Sequence, residues 1–199
     1  DSQHGAINKL LINNNTLLAL QDTGFAAVGF KDRQLLNEGS ESQLVLGTGS
    51  ILSYVQYIST KTGCRNKWSV IDLDRNFMWF DASNRKIMRY GGEGLEILSD
   101  SKNMSGWFKE TYPSYREPDL DSDVHAVVDK KDNRVYFTFL RKELNPVEGG
   151  SLEYSVSRTI SYNLMMGTFE SLHSFTPQIF LETEIGLMST GGVGSVGTT

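Results

Sequence analysis

Cysteine is nearly missing from this sequence, and histidine and proline are scarce. A single cysteine, Cys64, cannot form an internal disulfide, and one thiol does not make a zinc site. The three histidines, His4, His125 and His173, stand far apart, without His-x-x-x-His or Cys-His spacing for a metal. No run of about 18 apolar residues occurs, so no helical membrane anchor is expected. An excess of positive charge is also lacking. The net charge is −5 and the pI about 5.2, which argues against tight binding to a phosphate backbone. Loose contact with DNA stays open, because a mildly acidic wall lets a polyanion slide past. No Gly-x-Ser-x-Gly elbow is present.

What is present is glycine, 19 in all, and short β-rich runs between Gly, Asn, Asp and Ser clusters. The runs predict strands near Thr16–Gln21, Gly24–Phe30, Leu44–Leu46, Tyr54–Ser59, Trp68–Asp72, Phe77–Asp81, Lys86–Gly91, Leu95–Leu98, His125–Asp129, Arg134–Arg141, Ser157–Asn163 and Phe169–Ser174. A helix is expected over Ser101–Tyr112, with Met104, Trp107 and Phe108 on one face and Pro113 ending it. Tyr112–Asp123 and Lys142–Leu152 read as surface loops. Asp72 to Asn76 and Asp129 to Asn133 read as hairpin bends, because Asp and Asn side chains bond the local backbone and tolerate left-handed φ.

A repeat joins these segments. Val70, Asp72, Asn76 and Phe80 recur 57 residues later as Val127, Asp129, Asn133 and Phe137. Ile87 to Leu98 after the first copy matches Ile160 to Leu172 after the second, with Lys142–Leu152 as an insertion. Leu20, Asp22 and Phe30 suggest an earlier partial copy. A repeated four-stranded antiparallel unit of this size reads as a β-propeller blade. The expected fold is therefore all-β, with propeller-like blades as a partial propeller or an open β-sandwich. Blades would fill residues 1–183, with a partial copy at about 16–60 and copies at about 68–100 and 125–175. Residues 184–199 would be a Gly-rich linker or the start of a further blade. Each large apolar side chain buried between blades contributes roughly 1.5–3 kcal/mol, so single blades would not stand alone. The opening Asp1 and the Gly-rich end suggest a fragment of a longer polypeptide.

The constellations that could carry chemistry each have a plainer reading. Asp119, Asp121 and Asp123 have calcium-loop spacing, but no bend glycine or distal glutamate follows, and a solvated acidic loop is expected. Asp72 and Asp74 could be paired as acid and base, but the matching bend at Asp129 favours a turn role. Gly47-Thr-Gly49-Ser resembles a phosphate loop without its Gly-Lys-Ser/Thr ending, and reads as a turn. Asp100 to Trp107 fails the spacing of a sialidase Asp-box. Arg33, Lys61, Arg65 and Lys67 around Trp68 read as solvated charges. Trp68, Phe77, Trp79, Phe80, Tyr90, Trp107, Tyr136, Phe137 and Phe139 are core candidates. Trp79 and Phe80 lie on opposite faces of one strand, so both of its faces should be covered. No catalytic, cofactor-binding or metal-binding residue is assigned, and no cofactor is expected.

The segments Leu18-Ala-Leu-Gln-Asp-Thr-Gly-Phe25, Gln43 to Gly49, Ile58 to Gly63, Asn66 to Val70, Phe77-Met-Trp-Phe-Asp81 and Ile87-Met-Arg-Tyr90-Gly-Gly run in a telling order. Over residues 10–175 the chain resembles the tail stabilisation or nozzle proteins (tail tubular, muzzle-like) of short-tailed bacteriophages, most nearly crAss-like phages. The resemblance implies a virion tail protein with propeller-like domains and no active-site residues. It further implies a ring of copies below the portal, in contact with a portal or ring adaptor and other tail proteins. Such a ring would extend the DNA channel, help retain packaged DNA, touch it loosely and anchor tail appendages. An alternative is a glycan- or receptor-binding propeller module using Trp107 and Tyr115 as its platform. A propeller hydrolase lacks a supporting motif.

Overall fold

A computed structural model describes residues 2–13, 16–30, 35–36, 44–45, 52–112, 122–141, 143–144, 152–153, 157–177, 179–183 and 186–189. The chain divides into two compact units, residues 1–63 and 64–199.

The first unit holds β1 (Ile7–Asn13), β2 (Thr16–Gln21), β3 (Phe25–Phe30), β4 (Leu35–Leu36), β5 (Leu44–Val45) and β6 (Leu52–Ser59). Its four-stranded antiparallel sheet runs β1-β2-β3-β6, and β4 pairs with β5 as a separate hairpin inserted between β3 and β6. The first strand was not expected. Leu10-Leu-Ile12 interrupts strict alternation, and a bulge between Ile7 and Lys9 breaks it again. One face of this sheet buries Leu18, Leu20 and Phe25. Gln21 is buried as well, and both ends of its amide are used: Nε2 donates to the Gly5 carbonyl at 2.9 Å, and Oε1 accepts from the Tyr57 hydroxyl at 2.8 Å. Gly63 passes so close to the β2–β3 turn that a Cβ would lie 2.4 Å from the Gln21 carbonyl oxygen. Only glycine permits that approach.

The second unit carries two more four-stranded antiparallel sheets. One contains β7 (Ile71–Asp72), β8 (Phe77–Asp81), β9 (Lys86–Gly91) and β10 (Gly94–Ile97), and passes into α1 (Leu98–Ser101) and α2 (Ser105–Thr111). The other contains β11 (Ser122–Asp129), β12 (Arg134–Arg141), β15 (Arg158–Asn163) and β16 (Thr168–His173), with the hairpin β13 (Glu143–Leu144) and β14 (Leu152–Glu153) inserted after β12. A terminal hairpin joins β17 (Phe180–Thr183) to β18 (Gly186–Ser189). The all-β expectation, with repeated four-stranded antiparallel sheets, is met.

Three hairpins share one turn. Asp81 pairs with Lys86, Asp129 with Arg134 and Asn163 with Thr168, each across four loop residues. In each, the first side chain accepts a loop amide: Asp81 from Asn84 at 3.1 Å, Asp129 from Lys131 at 3.0 Å, Asn163 from Met165 at 2.9 Å. The residue before the second strand is left-handed: Arg85 at φ 56, Asn133 at φ 53, Gly167 at φ 65. The Asp72 bend also spans four residues, from Asp72 to its partner Phe77, and Asp72 accepts the Asp74 amide at 3.0 Å. There the left-handed residue is Asp74, at φ 65.

The core of this unit lies between its two sheets. Alternation sends Met78 and Phe80 of β8, and Val135, Phe137 and Phe139 of β12, into one cluster. Phe108 of α2 closes it. Phe80 meets Phe139 edge-on at 5.0 Å and Tyr112 at 4.9 Å, while Phe108 meets Phe169 at 5.4 Å. Trp79 and Phe80 are both fully buried, so both faces of β8 are covered, as alternation required.

Several expectations need correction. Lys67–Ser69 is a 3-10 turn rather than strand, because the Ser69 amide and hydroxyl both donate to the Asn66 carbonyl, each at 2.8 Å. Trp68 on that turn is 59% exposed, not core. Leu98 begins helix instead of ending a strand, and the expected helix breaks at Asn103, which is left-handed at φ 57. Ser122 and Asp123 belong to β11, not to a loop. The Lys142–Leu152 loop is tied at its ends by the Leu144–Leu152 pair. Residues 113–121 and 190–199 lie outside the described residues, as does Leu46.

We expect Phe80→Ala to lower stability by about 3–5 kcal/mol and Asp129→Ala by about 1 kcal/mol in urea unfolding. The larger loss reports the cavity between the sheets, the smaller one the lost turn bond.

Candidate interaction surfaces

The most enclosed of the features below is a cleft of about 350 Å³ between the second and third sheets, beside their first hairpin turns. Leu73, Met78, Val128 and Leu164 supply its apolar lining, and Arg89 and Tyr162 its polar groups. Asp72 and Asp74 from one bend and Lys130 and Asn133 from the other meet at this cleft. The bends matched by sequence are thus brought together in space. Arg89 is held by Glu96, Nη2 to Oε2 at 2.5 Å, across the β9–β10 pair. Burial pushes the Tyr162 hydroxyl above its ordinary value; the Arg89 charge opposes that shift and the Glu96 charge adds to it. The Asp72 carboxylate is engaged in its turn, and the mixed-sign lining gives no array of bases or ligands.

A second surface is a face of the first sheet. Register places Ile12, Leu17, Val28 and Val55 in one row, and Leu10, Ala19, Ala26 and Tyr57 in the next. Apart from the Tyr57 hydroxyl these rows are apolar. On the edge strands Ile12 is 72% exposed, Leu10 54% and Val55 52%, while Ala19, Ala26 and Val28 between them are buried. A sheet face meant for water would alternate in polar side chains here.

The third is the outer face of the third sheet, which is polar and partly covered. Its register forms the row His125–Thr138–Thr159–His173. Thr138 and Thr159 are fully buried and bond each other at 2.9 Å. At one end His125 Nε2 lies 3.1 Å from Asp123, whose other oxygen accepts from Asn66 at 3.2 Å and from the Val124 amide at 2.8 Å. Burial pushes the Asp123 carboxyl up, but the hydrogen bond and charge of His125, with Asn66 and Val124, hold it below the ordinary value. Asp123 of the acidic run is therefore engaged in this network, while Asp119 and Asp121 lie outside the described residues.

The remaining candidates disperse. Lys67 lies over the Trp68 ring at 5.3 Å, whereas Arg33 is outside the described residues. The Gly47–Ser50 turn and Tyr115 are outside them too. His4 packs on Tyr57 at 4.6 Å. Trp107 is half-buried, edge-on to Phe108 and Phe139, and so is engaged at the margin of the core. Among the described residues no group of three or more His, Cys, Asp or Glu converges on a metal position. No described helix is long and apolar enough to cross a membrane. Sequence reasoning missed the Arg89–Glu96 pair; their spacing across a predicted hairpin was the available signal.

Comparison with known proteins places the chain in a family. A family model described as the crassvirus muzzle protein matches residues 1–190. The chain belongs to this family. The muzzle protein of Bacteroides phage crAss001 is 26% identical over 140 residues, which make up 70% of this chain and 10% of that protein. The chain thus spans about a tenth of the length of the curated relative it matches. Membership bears out the resemblance seen in the sequence and makes this a phage structural protein and a virion component.

Because the folded Asp123 value is lowered, its carboxylate stabilises above the unfolded value, and that stability is lost as pH falls through the folded one. Asp123→Asn removes this dependence. We expect the difference in urea midpoint between wild type and variant to shrink as pH falls through the ordinary carboxylate value of 3.8 and below it. An unchanged difference would show that the carboxylate is not held below its ordinary value by His125, Asn66 and Val124.

Proposed function

We propose that the chain is a packing element of the phage tail nozzle, built from stacked four-stranded blades, with a mechanical and non-catalytic role. Copies would form a ring below the portal, meet a portal or ring adaptor and other tail proteins, and extend the DNA channel. The ring would help to retain packaged DNA and to anchor tail appendages. Family membership supports the virion setting. The observation that carries the packing role is the apolar face of the first sheet, where Leu10, Ile12 and Val55 stand in water. Apolar side chains exposed on both edge strands of one face mark a surface that protein can cover. Two sheets of the second unit already pack through such rows, which supports blade-on-blade stacking as the assembly mode. The three sheets also support a blade assignment, since each is a four-stranded meander whose strand order follows the sequence. The net charge of −5 suits at most loose contact with DNA in the channel.

Sedimentation over a range of concentrations, with negative-stain imaging, tests the assembly. We expect concentration-dependent ring-shaped oligomers, and monomers for the pair Ile12→Lys and Val55→Glu. A wild-type chain that stays monomeric at the highest concentration would argue against the ring, and oligomers unaffected by the pair would move the interface elsewhere.

A further inference from the structure

The other end of the His125–Thr138–Thr159–His173 row has a different character. His173 ends β16 and packs between aromatic rings: Tyr136 at 5.3 Å and 67°, and Phe175 at 4.9 Å and 35°. Tyr136 also meets Phe175 at 5.9 Å and stacks with Phe180 at 6.5 Å and 25°. Phe180 opens the β17–β18 hairpin, so the path from His173 through Phe175 and buried Pro177 to Phe180 straps that hairpin onto the sheet. Among the described residues the hairpin makes no strand pairing with the third sheet, and its Leu181 and Met188 are exposed. The aromatic cluster anchors the hairpin at Phe180. Within that anchor the His173 Nε2 atom is buried and, among the described residues, has no hydrogen-bond partner.

A neutral imidazole can leave Nε2 as an unpaired acceptor; an imidazolium there would hold a charge with one buried N–H unsatisfied. The charged groups around it do not compensate. Arg134 of β12 repels a proton on the ring, and Glu170 of β16 attracts one, but Glu170 is already bound by Arg134 at 2.8 Å and by Asn163 at 2.6 Å. The segment Phe175-Thr-Pro-Gln-Ile-Phe180 brings no ionisable side chain. Tyr136 of β12 presents its ring to His173 and its hydroxyl to Arg134. The remaining ionisable member of the row, His125, lies at its far end, beside Asp123. Burial, then Arg134, hold the His173 ring below its ordinary value of 6.5, with Glu170 opposing.

We propose that His173 is a proton-operated latch: neutral, it fastens the β17–β18 hairpin to the third sheet, and protonated, it lets the hairpin go. The latch is fully closed above the free histidine value, because the closed form excludes the proton. It loosens as pH falls from there toward the lowered folded value, and its response levels off below that. Release would uncover the Tyr136 face of the sheet and free a hairpin that carries exposed Leu181 and Met188.

Hydrogen exchange of the hairpin amides, corrected for the intrinsic pH dependence of exchange, tests this together with an NMR titration of His173. Expected are a His173 titration below 6.5 and hairpin protection that falls by up to about tenfold per pH unit once the pH drops below about 6.5. His173→Phe keeps the ring without the proton, so protection stays high and flat with pH. If that variant fails to fold, His173→Gln serves the same purpose, with pH-independent protection. His125→Asn should leave the wild-type response in place. Wild-type protection that is flat with pH, or an unchanged slope in the His173 variants, overturns the latch.

Discussion

The packing of two antiparallel sheets through one shared aromatic layer governs the second unit. Phe80 from one sheet and Phe139 from the other meet edge-on, and Phe108 caps the contact from a two-turn helix. This layer exists only if each strand keeps its register, because a slip of one residue would turn Phe80 and Phe139 away from each other. The recurrent turn supplies that control. An Asp or Asn at the first position binds a loop amide, a left-handed residue closes the loop, and the strands leave with a fixed offset. Asp81 shows how strict the arrangement is: a fully buried carboxylate is tolerated because the Asn84 amide and side chain both donate to it.

Much of this was legible from spacing. The offset of 57 residues reappears in part, since Asp72 and Asp129 each start a four-residue bend, with left-handed residues at different positions, and Phe80 and Phe137 enter one core. Alternation in Phe77–Asp81 and Arg134–Arg141 sufficed to set both strands. The misses have local causes. Trp68 looked like strand and core because tryptophan favours both, yet two bonds from Ser69 to the Asn66 carbonyl close a 3-10 turn that turns the ring outward. The strand Ile7–Asn13 was hidden because its bulge and consecutive apolar residues erase the period of two. Surfaces were harder to foresee than strands. The cleft at Tyr162 and Arg89 and the His173 cluster arise from residues distant in sequence, which only the pairing of sheets brings together.

The same physics connects fold to role. A meander of four strands covers one face easily and leaves the other for a neighbour. In the second unit the neighbour is present; on the first sheet the rows through Ile12 and Leu10 offer apolar side chains to water. The crassvirus muzzle family gives that surface a context in a phage structural protein, and the relative that the chain matches is about ten times as long as the matched stretch. Within it, specificity would reside in shape and register, and the polar third-sheet face, with its buried threonine pair and terminal histidines, would serve a different kind of contact from the apolar one.

Electron cryomicroscopy of the intact phage particle addresses the central claim most directly. The account predicts these three four-stranded sheets in the tail below the portal, with the Leu10, Ile12 and Val55 face covered by another sheet. Sheets absent from the particle, or present with that face open to solvent, would contradict it.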